Sequence, residues 1–400
     1  MALRLTRAPW WARVLAIFVA SRVVTTTILL VVASLQRVSD RTGDSPGLLE
    51  FSNIWDGQWY WTINVSGYPD DIPRDVEGNA RENAWAFLPA FPFLLRVLTV
   101  FGLPFPVVAP VVAMLFAGAA ALVFFRLMSR MLPSESAYFA TALFCVAPLS
   151  TILQVSYAES MHLFLLFLAL LLLVDRRYLV LIPVVVVMSF TRPSGLAFAL
   201  ALLLHLVHRF VVRHRDPFPW RERLEVVVVG LVSALAGVAW LLIAWAVTGE
   251  FTAYTDTEFA WRRGFGIEGH FLPFAPWVQA GQFWLGDWFG LEGAAATGTA
   301  VAAVLAIAGG FAAFLLSPWA RRLGPDIRFW LASYAIYLLA VFFPQSSVFR
   351  LLVPLAPALG ALAVPRSPVW RAALLVAGIA GQVIWTYGVW RADVYDWTPP

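Results

Sequence analysis

This 400-residue chain has no lysine, a single cysteine and only 13% charged residues. The lone Cys145 excludes an intrachain disulfide and a cysteine-based metal site, and within an apolar run it reads as a small buried hydrophobe. Every Lys/Arg-class residue is arginine, a trait of GC-rich coding sequence more than of a chemistry. The net charge of +4 is scattered over short loops. With no basic face and no recognition motif, nucleic acid is excluded as a partner. A Walker sequence, a glycine-rich dinucleotide fingerprint and any alternation of strand and helix periods are also missing. Those absences argue against a nucleotide-driven pump and against a sugar-nucleotide enzyme on a Rossmann-type domain. There is no internal repeat and no low-complexity tract. No His/Asp/Glu spacing marks a metal site, so no cofactor is expected, with a divalent cation left open.

What fills the chain instead is apolar. Hydrophobic residues make up 60% of it and the mean hydropathy is +0.76, against roughly 45–50% apolar in soluble domains. A bilayer-spanning helix needs roughly 20 apolar residues, and about eleven segments are candidates. They lie near 12–35, 91–101 running into 105–127, 135–152, 158–174, 178–191, 194–212, 225–248, 293–317, 327–343, 348–364 and 370–390. The pair 178–191 and 194–212 reads as two steep helices or as a broken, re-entrant pair, because Pro183 and Thr191-Arg192-Pro193 interrupt it. The N-terminal stretch from Arg4 to Leu35 is too long for a signal peptide and reads as a retained first span.

Arginine placement orients the spans. Arg4, Arg7 and Arg13, then Arg126/Arg130, Arg176/Arg177, the 209–223 run, Arg321/Arg322 and Arg366/Arg371 all fall on one side, assigned as cytoplasmic. The opposite side carries two long loops, residues 38–90 and 249–292. The expected architecture is an all-α polytopic membrane protein, one integral-membrane domain over 1–400, with the N-terminus inside and the C-terminus outside. Long structured loops on one face of a bundle are usually functional.

The 38–90 loop holds the most informative motif, Trp55-Asp56-Gly57-Gln58-Trp59-Tyr60. Positions 55, 59, 60 and 63 share one face of a short interfacial helix, with Asp56 near its N-terminal end. It reads as an aromatic belt with a solvated Asp, or as a general base with rings for a sugar to stack on. Further along, Ala86-Phe87-Leu88-Pro89-Ala90-Phe91-Pro92 re-enters the membrane through a kink fixed by prolines. Ser156-Tyr157-Ala158-Glu159-Ser160 reads as a capping box, Ser156 with Glu159 three residues on; it also puts a carboxylate at membrane depth, where such groups commonly face a cavity. Arg22, Arg192 and Arg350 stand away from the basic side. Guanidinium is a natural clamp for phosphate oxygens, and the alternative is interfacial snorkelling or a pair with an acidic loop residue. His270, beside Arg262 and Arg263, is a weaker candidate in the second loop.

Together these residues resemble the PIG-V family, the glycosylphosphatidylinositol mannosyltransferase II family with its bacterial relatives, in the GT-C glycosyltransferase superfamily. The marks are Ser21-Arg22, Trp55-Asp56 with Tyr60, Ile63, Gly67 and Tyr68, Phe87 with Pro89, Phe91 and Pro92, and Tyr157 with Glu159-Ser160. Thr191-Arg192 with Gly195, and Arg350 with Pro354 and Pro357, complete the set, in order over most of the chain. The chain departs from the pattern at Val65, Ser194 and Leu351. The resemblance implies a GT-C helical bundle and inverting transfer of a hexose, mannose foremost, from a polyprenyl-phosphate donor to a lipid-linked or cell-envelope glycan at the extracytoplasmic face. It implies Asp56 as base, Arg192, Arg350 and Arg22 on the donor phosphate, and Trp55, Trp59, Tyr60, Tyr157, Glu159 and His270 around the acceptor sugar. The rivals are a transporter or lipid flippase, which would want two related halves with midplane charges, a non-catalytic scaffold, and another GT-C transferase with a different sugar.

Overall fold

The computed structural model describes residues 8–263, 272–345 and 347–392. Among these the only β feature is an isolated bridge between Arg74 and Ala80; all else that is regular is helical. In chain order the helices are α1 (Trp10–Ser34), α2 (Leu48–Phe51), α3 (Asp56–Ser66), α4 (Ala90–Thr99), α5 (Phe105–Met128), α6 (Ser134–Val146), α7 (Glu159–Val174), α8 (Tyr178–Ser189) and α9 (Gly195–Val211). They continue with α10 (Trp220–Thr248), α11 (Ala253–Arg263), α12 (Ala275–Phe289), α13 (Gly293–Leu316), α14 (Pro318–Arg321), α15 (Gly324–Val341), α16 (Val348–Leu351), α17 (Leu359–Leu362) and α18 (Pro368–Trp385). Short 3₁₀ turns occupy Ala84–Ala86, Ser150–Gln154 and Val353–Ala358.

Every expected apolar segment is helical, but among the described residues five helices are long and apolar enough to cross a bilayer: α1, α5, α10, α13, and α18 continued to Trp390. This is fewer than the eleven or so expected, and the reason is proline and polar punctuation. Helix α6 stops at Val146, before Pro148, and α7 starts only at Glu159. The 353–362 stretch is broken by Pro354 and Pro357 into 3₁₀ and α turns. The 178–212 region is two helices with Arg192 in the break, and α8, 12 residues long, reaches only about 18 Å.

Small residues set the closest approaches. Ala109, Ala113, Ala117 and Ala120 of α5 are fully buried where α5 packs along α7, as close helix pairs in membranes require. At the α9–α10 crossing a Cβ on Gly195 would stand 2.7 Å from both Gly237 Cα and the Ser233 carbonyl oxygen. Only glycine fits, and the Ser233 hydroxyl closes the contact by donating to the Gly195 carbonyl at 2.7 Å.

The two long loops meet at one end of the bundle. Asn83 Nδ2 donates to Thr257 Oγ1 at 2.9 Å, Arg263 donates to the Ala80 carbonyl at 2.7 Å, and Arg74 pairs with Glu250. The last helix finishes at the same end, where Trp55 Nε1 donates to the Trp390 carbonyl at 2.7 Å. The arginine-rich turns gather elsewhere, tied by pairs such as Arg130–Asp175 at 2.8 Å and Arg176–Asp216.

Candidate active site

Between the loop-bearing end and the bundle lies a cavity of about 450 Å³, lined by Asp56, Glu159, Arg192 and Arg350 among mostly apolar neighbours. Four segments far apart in sequence deliver these charges, and each has a local reason to present its side chain.

Asp56 is the first residue of α3, and Asp56, Tyr60 and Ile63 fall on its buried face, as the helical spacing predicts. A carboxylate at a helix start is favoured by the backbone N–H groups there. The residue before it, Trp55, has φ +59°, a conformation that costs a non-glycine residue of order 1–3 kcal/mol and persists only where its surroundings impose it. Here the Trp390 carbonyl holds the indole N–H, and Arg41 lies 5.5 Å from the ring centroid. Gly57 lets α3 close on the 150–158 segment, since a Cβ there would meet Ser156 Cβ at 3.2 Å.

Glu159 opens α7, but not through the expected capping box. The N-cap residue is Ala158, and the Ser156 hydroxyl donates instead to Asn53 Oδ1 at 2.7 Å. The Glu159 carboxylate turns to the arginines, because a buried negative charge needs a cation more than a helix start needs a second cap. Arg192 occupies the break forced by Pro193, which disfavours helical geometry in the residue before it. Arg350 sits on the one-turn helix α16, its guanidinium 5.2 Å from the Tyr157 ring centroid.

The four charges form one neutral cluster. Arg192 Nη2 donates to Asp56 Oδ2 at 3.1 Å and to Glu159 Oε1 at 2.6 Å, and Arg350 Nη1 donates to Asp56 Oδ2 at 2.5 Å. Arg350 Nε stands 3.6 Å from Glu159 Oε1. Burial by itself disfavours the Arg192 charge, and Glu159, Tyr60 and Asp56 together outweigh it and hold the guanidinium protonated. Capacity is left over. Glu159 Oε2, Arg192 Nε and Arg350 Nε are buried with no hydrogen-bond partner. Buried polar groups are nearly always paired, so two unpaired guanidinium N–H groups in one cluster give it the chemistry to bind an oxyanion.

Other residues singled out in the sequence fall behind this wall. Trp55, Tyr60 and Tyr157 are 5%, 1% and 0% exposed and do not line the cavity. Their rings are spent on packing: Tyr60 edges onto Phe87 and Phe91, and Tyr157 lies 5.2 Å from Trp390. Tyr157 also accepts the Asp56 backbone N–H at 3.4 Å. Trp59 stacks on Phe87 and meets Trp261 edge-on, one layer back. Stacking of an acceptor sugar on these four rings is therefore not what their placement provides. Arg22 is also elsewhere. It donates to the carbonyls of Cys145 at 2.7 Å and Ser150 at 2.8 Å, and to Gln154 Oε1 at 3.3 Å, locking α1 to the end of α6. His270 lies outside the described residues.

The sequence reading passed over helix α11. Its Tyr254, Glu258, Trp261 and Arg262 line the same cavity, and their spacing over two helical turns was the available signal. Burial raises the Glu258 carboxyl above its ordinary range, with Tyr254, Arg262, Arg192 and Arg350 opposing but not cancelling the effect. Among the described residues, no group of three or more His, Cys, Asp and Glu side chains is placed to hold a metal ion.

No protein-family model matches the chain, and no curated protein matches it. Among solved structures it is similar to ArnT from Cupriavidus metallidurans in the apo state, with TM-score 0.47 and 16% identity over 91% of this chain and 62% of that one. It is also similar to the Archaeoglobus fulgidus oligosaccharyltransferase tethered to an acceptor peptide containing the NVT sequon, with TM-score 0.46 and 12% identity over 97% of this chain and 56% of that one. The chain thus spans less than two thirds of either structure. Likenesses this distant carry no functional weight of their own.

Proposed function

We propose that this protein is an inverting membrane glycosyltransferase that takes a hexose, mannose foremost, from a polyprenyl-phosphate donor and places it on a lipid-linked or cell-envelope glycan. The observation that carries the reading is the Asp56–Arg192–Arg350–Glu159 cluster on the wall of a mostly apolar cavity. One carboxylate base and an arginine clamp are what in-line displacement of a lipid phosphate needs. Asp56 takes the proton of an acceptor hydroxyl as that oxygen forms its bond to the anomeric carbon. The bond from that carbon to the phosphate oxygen breaks with its electron pair, leaving polyprenyl phosphate and an inverted glycoside. General-base assistance of this kind contributes about 10²–10⁴-fold. The charge growing on the leaving phosphate falls to Arg192 and Arg350, for which charge-matched donors in a dry site are effective. With two guanidiniums for the phosphate, no metal or other cofactor is required. The site would open to the extracytoplasmic face, the side opposite the arginine-rich turns.

The ligand-free geometry adds order to this scheme. Both guanidiniums rest on Asp56 Oδ2, so a donor phosphate that draws them away frees the base as it binds. The test is transfer from radiolabelled polyprenyl-phosphate-mannose to a membrane-lipid extract by purified protein in liposomes. Transfer by wild type and its loss in folded Asp56→Asn support the assignment. Equal transfer by the two proteins would overturn it.

A further inference from the structure

We propose that helix α11 builds the acceptor-sugar subsite of this cavity, with Glu258 hydrogen-bonding acceptor hydroxyls beside Tyr254 and Trp261. The inference rests on the reading of Asp56 as the base, because the subsite would present a hydroxyl to it.

Three observations carry it. First, α11 is held as a rigid platform. Thr257 accepts from Asn83 at 2.9 Å, Arg262 donates to the Val341 carbonyl at 2.8 Å, and Arg263 donates to the Ala80 carbonyl at 2.7 Å. These anchors tie the helix to the first loop on one side and to the end of α15 on the other. A binding group on such a platform keeps its geometry without further ordering cost. Second, Tyr254, Glu258 and Trp261 line the cavity that also holds Asp56. Their spacing of four and three residues puts them on one helix face. Third, this face offers the chemistry of sugar recognition. A carboxyl can take paired hydrogen bonds from neighbouring hydroxyls, and an indole gives an apolar plane for the C–H face of the ring. The Trp261 indole N–H is buried without a partner, a donor not used by the fold.

Glu258 bears its proton more readily than an exposed glutamate, because burial raises its carboxyl. A neutral carboxyl both donates and accepts, as a sugar hydroxyl does. It also adds no negative charge beside a departing phosphate. The conservative variant Glu258→Gln keeps both capacities, whereas Glu258→Ala keeps neither.

The experiment measures binding and transfer in parallel, with octyl α-mannoside and octyl β-glucoside as acceptor probes and polyprenyl-phosphate-mannose as donor. Expected is saturable probe binding by wild type and a roughly tenfold to hundredfold rise in probe Kd and acceptor KM for Glu258→Ala. The kcat is expected to fall far less, and Glu258→Gln to stay within about threefold of wild type. Unchanged acceptor KM in folded Glu258→Ala, while wild type transfers and Asp56→Asn does not, overturns this inference alone. A loss in Glu258→Gln as large as in Glu258→Ala overturns the neutral-carboxyl role. Absence of saturable probe binding by wild type overturns the subsite. Failure of wild type to transfer from the donor to any acceptor, the lipid extract included, removes the function on which it rests.

Discussion

Replacing Asp56 by Asn should move donor binding and turnover in opposite directions. In the ligand-free site both guanidiniums contact Asp56 Oδ2, at 2.5 Å from Arg350 and 3.1 Å from Arg192. The amide keeps the shape and removes the charge, so two cations are left to share Glu159. An ion pair whose attraction is largely offset by desolvation is worth about 1 kcal/mol net. Two of them make ~2 kcal/mol, and a phosphate that no longer competes with Asp56 binds up to roughly thirtyfold tighter. Turnover falls instead, by about 10²–10⁴-fold, or ~3–5 kcal/mol of transition-state stabilisation. The assay pairs calorimetric titration of the donor with single-turnover transfer. Thermal unfolding gives a check, because the variant carries an uncompensated buried cation: its Tm should drop without donor and recover more than that of wild type when donor is added. Donor affinity falling in step with turnover would refute the reasoning, since Asp56 would then be part of the donor site or of its scaffold.

Other perturbations separate scaffold from chemistry. Gly195→Ala should cost about 1–3 kcal/mol of stability by overpacking and should raise donor KM, because the displaced turn carries Arg192; denaturation and donor titration read the two effects. Arg22→Met orphans the carbonyls of Cys145 and Ser150 at about 1–3 kcal/mol each, so Tm should fall while donor KM in the surviving folded protein holds. Glu258 also predicts a pH trend. A carboxyl raised in the folded state gives stability that is complete below its ordinary pKa of 4.5 and is lost as pH climbs through the folded value. The groups around it, Tyr254, Tyr337, Arg262, Arg192 and Arg350, keep their charge state over that range. Thermal melts between pH 4.5 and 8 should therefore decline less steeply for Glu258→Gln than for wild type.

Much of this molecule could be read from its residues. The apolar runs gave the helical class, and the 55–63 spacing placed Asp56 at the start of a short helix, where α3 indeed begins. Asp56, Glu159, Arg192 and Arg350 were all named from their segments, and they converge on one cavity. The misses share a cause. Span length was read from apolar composition, and prolines at 148, 354 and 357 cut helices that composition would have continued, whereas the break at Pro193 was read from the sequence. Trp55, Tyr60 and Tyr157 were read as a surface for sugar, yet aromatic rings beside a buried ion cluster also serve to exclude water, and composition does not distinguish the two uses. Arg22 was given a phosphate because mid-helix snorkelling is difficult, while helix-end carbonyls 123 and 128 residues away were not visible as partners. Helix α11 was passed over because Tyr254, Glu258 and Trp261 match no motif, and their common target becomes apparent only when the two loops clasp.

The neutrality of the ion cluster explains how four charges can be held together on the wall of a mostly apolar cavity. Two carboxylates and two guanidiniums cancel, whereas removing one partner of a buried pair typically costs 3–5 kcal/mol. The same accounting gives the site its timing. A sugar phosphodiester brings one negative charge and competes for the arginines with both carboxylates. Glu159 is tied to both guanidiniums from the rigid start of α7, and it keeps them within the cavity when they turn to phosphate. On the proposed reading Asp56 is the partner released, because it stands at the start of a short helix rather than within the bundle. On that reading, release of Asp56 by a phosphate that draws the arginines away ties the free base to the presence of a donor.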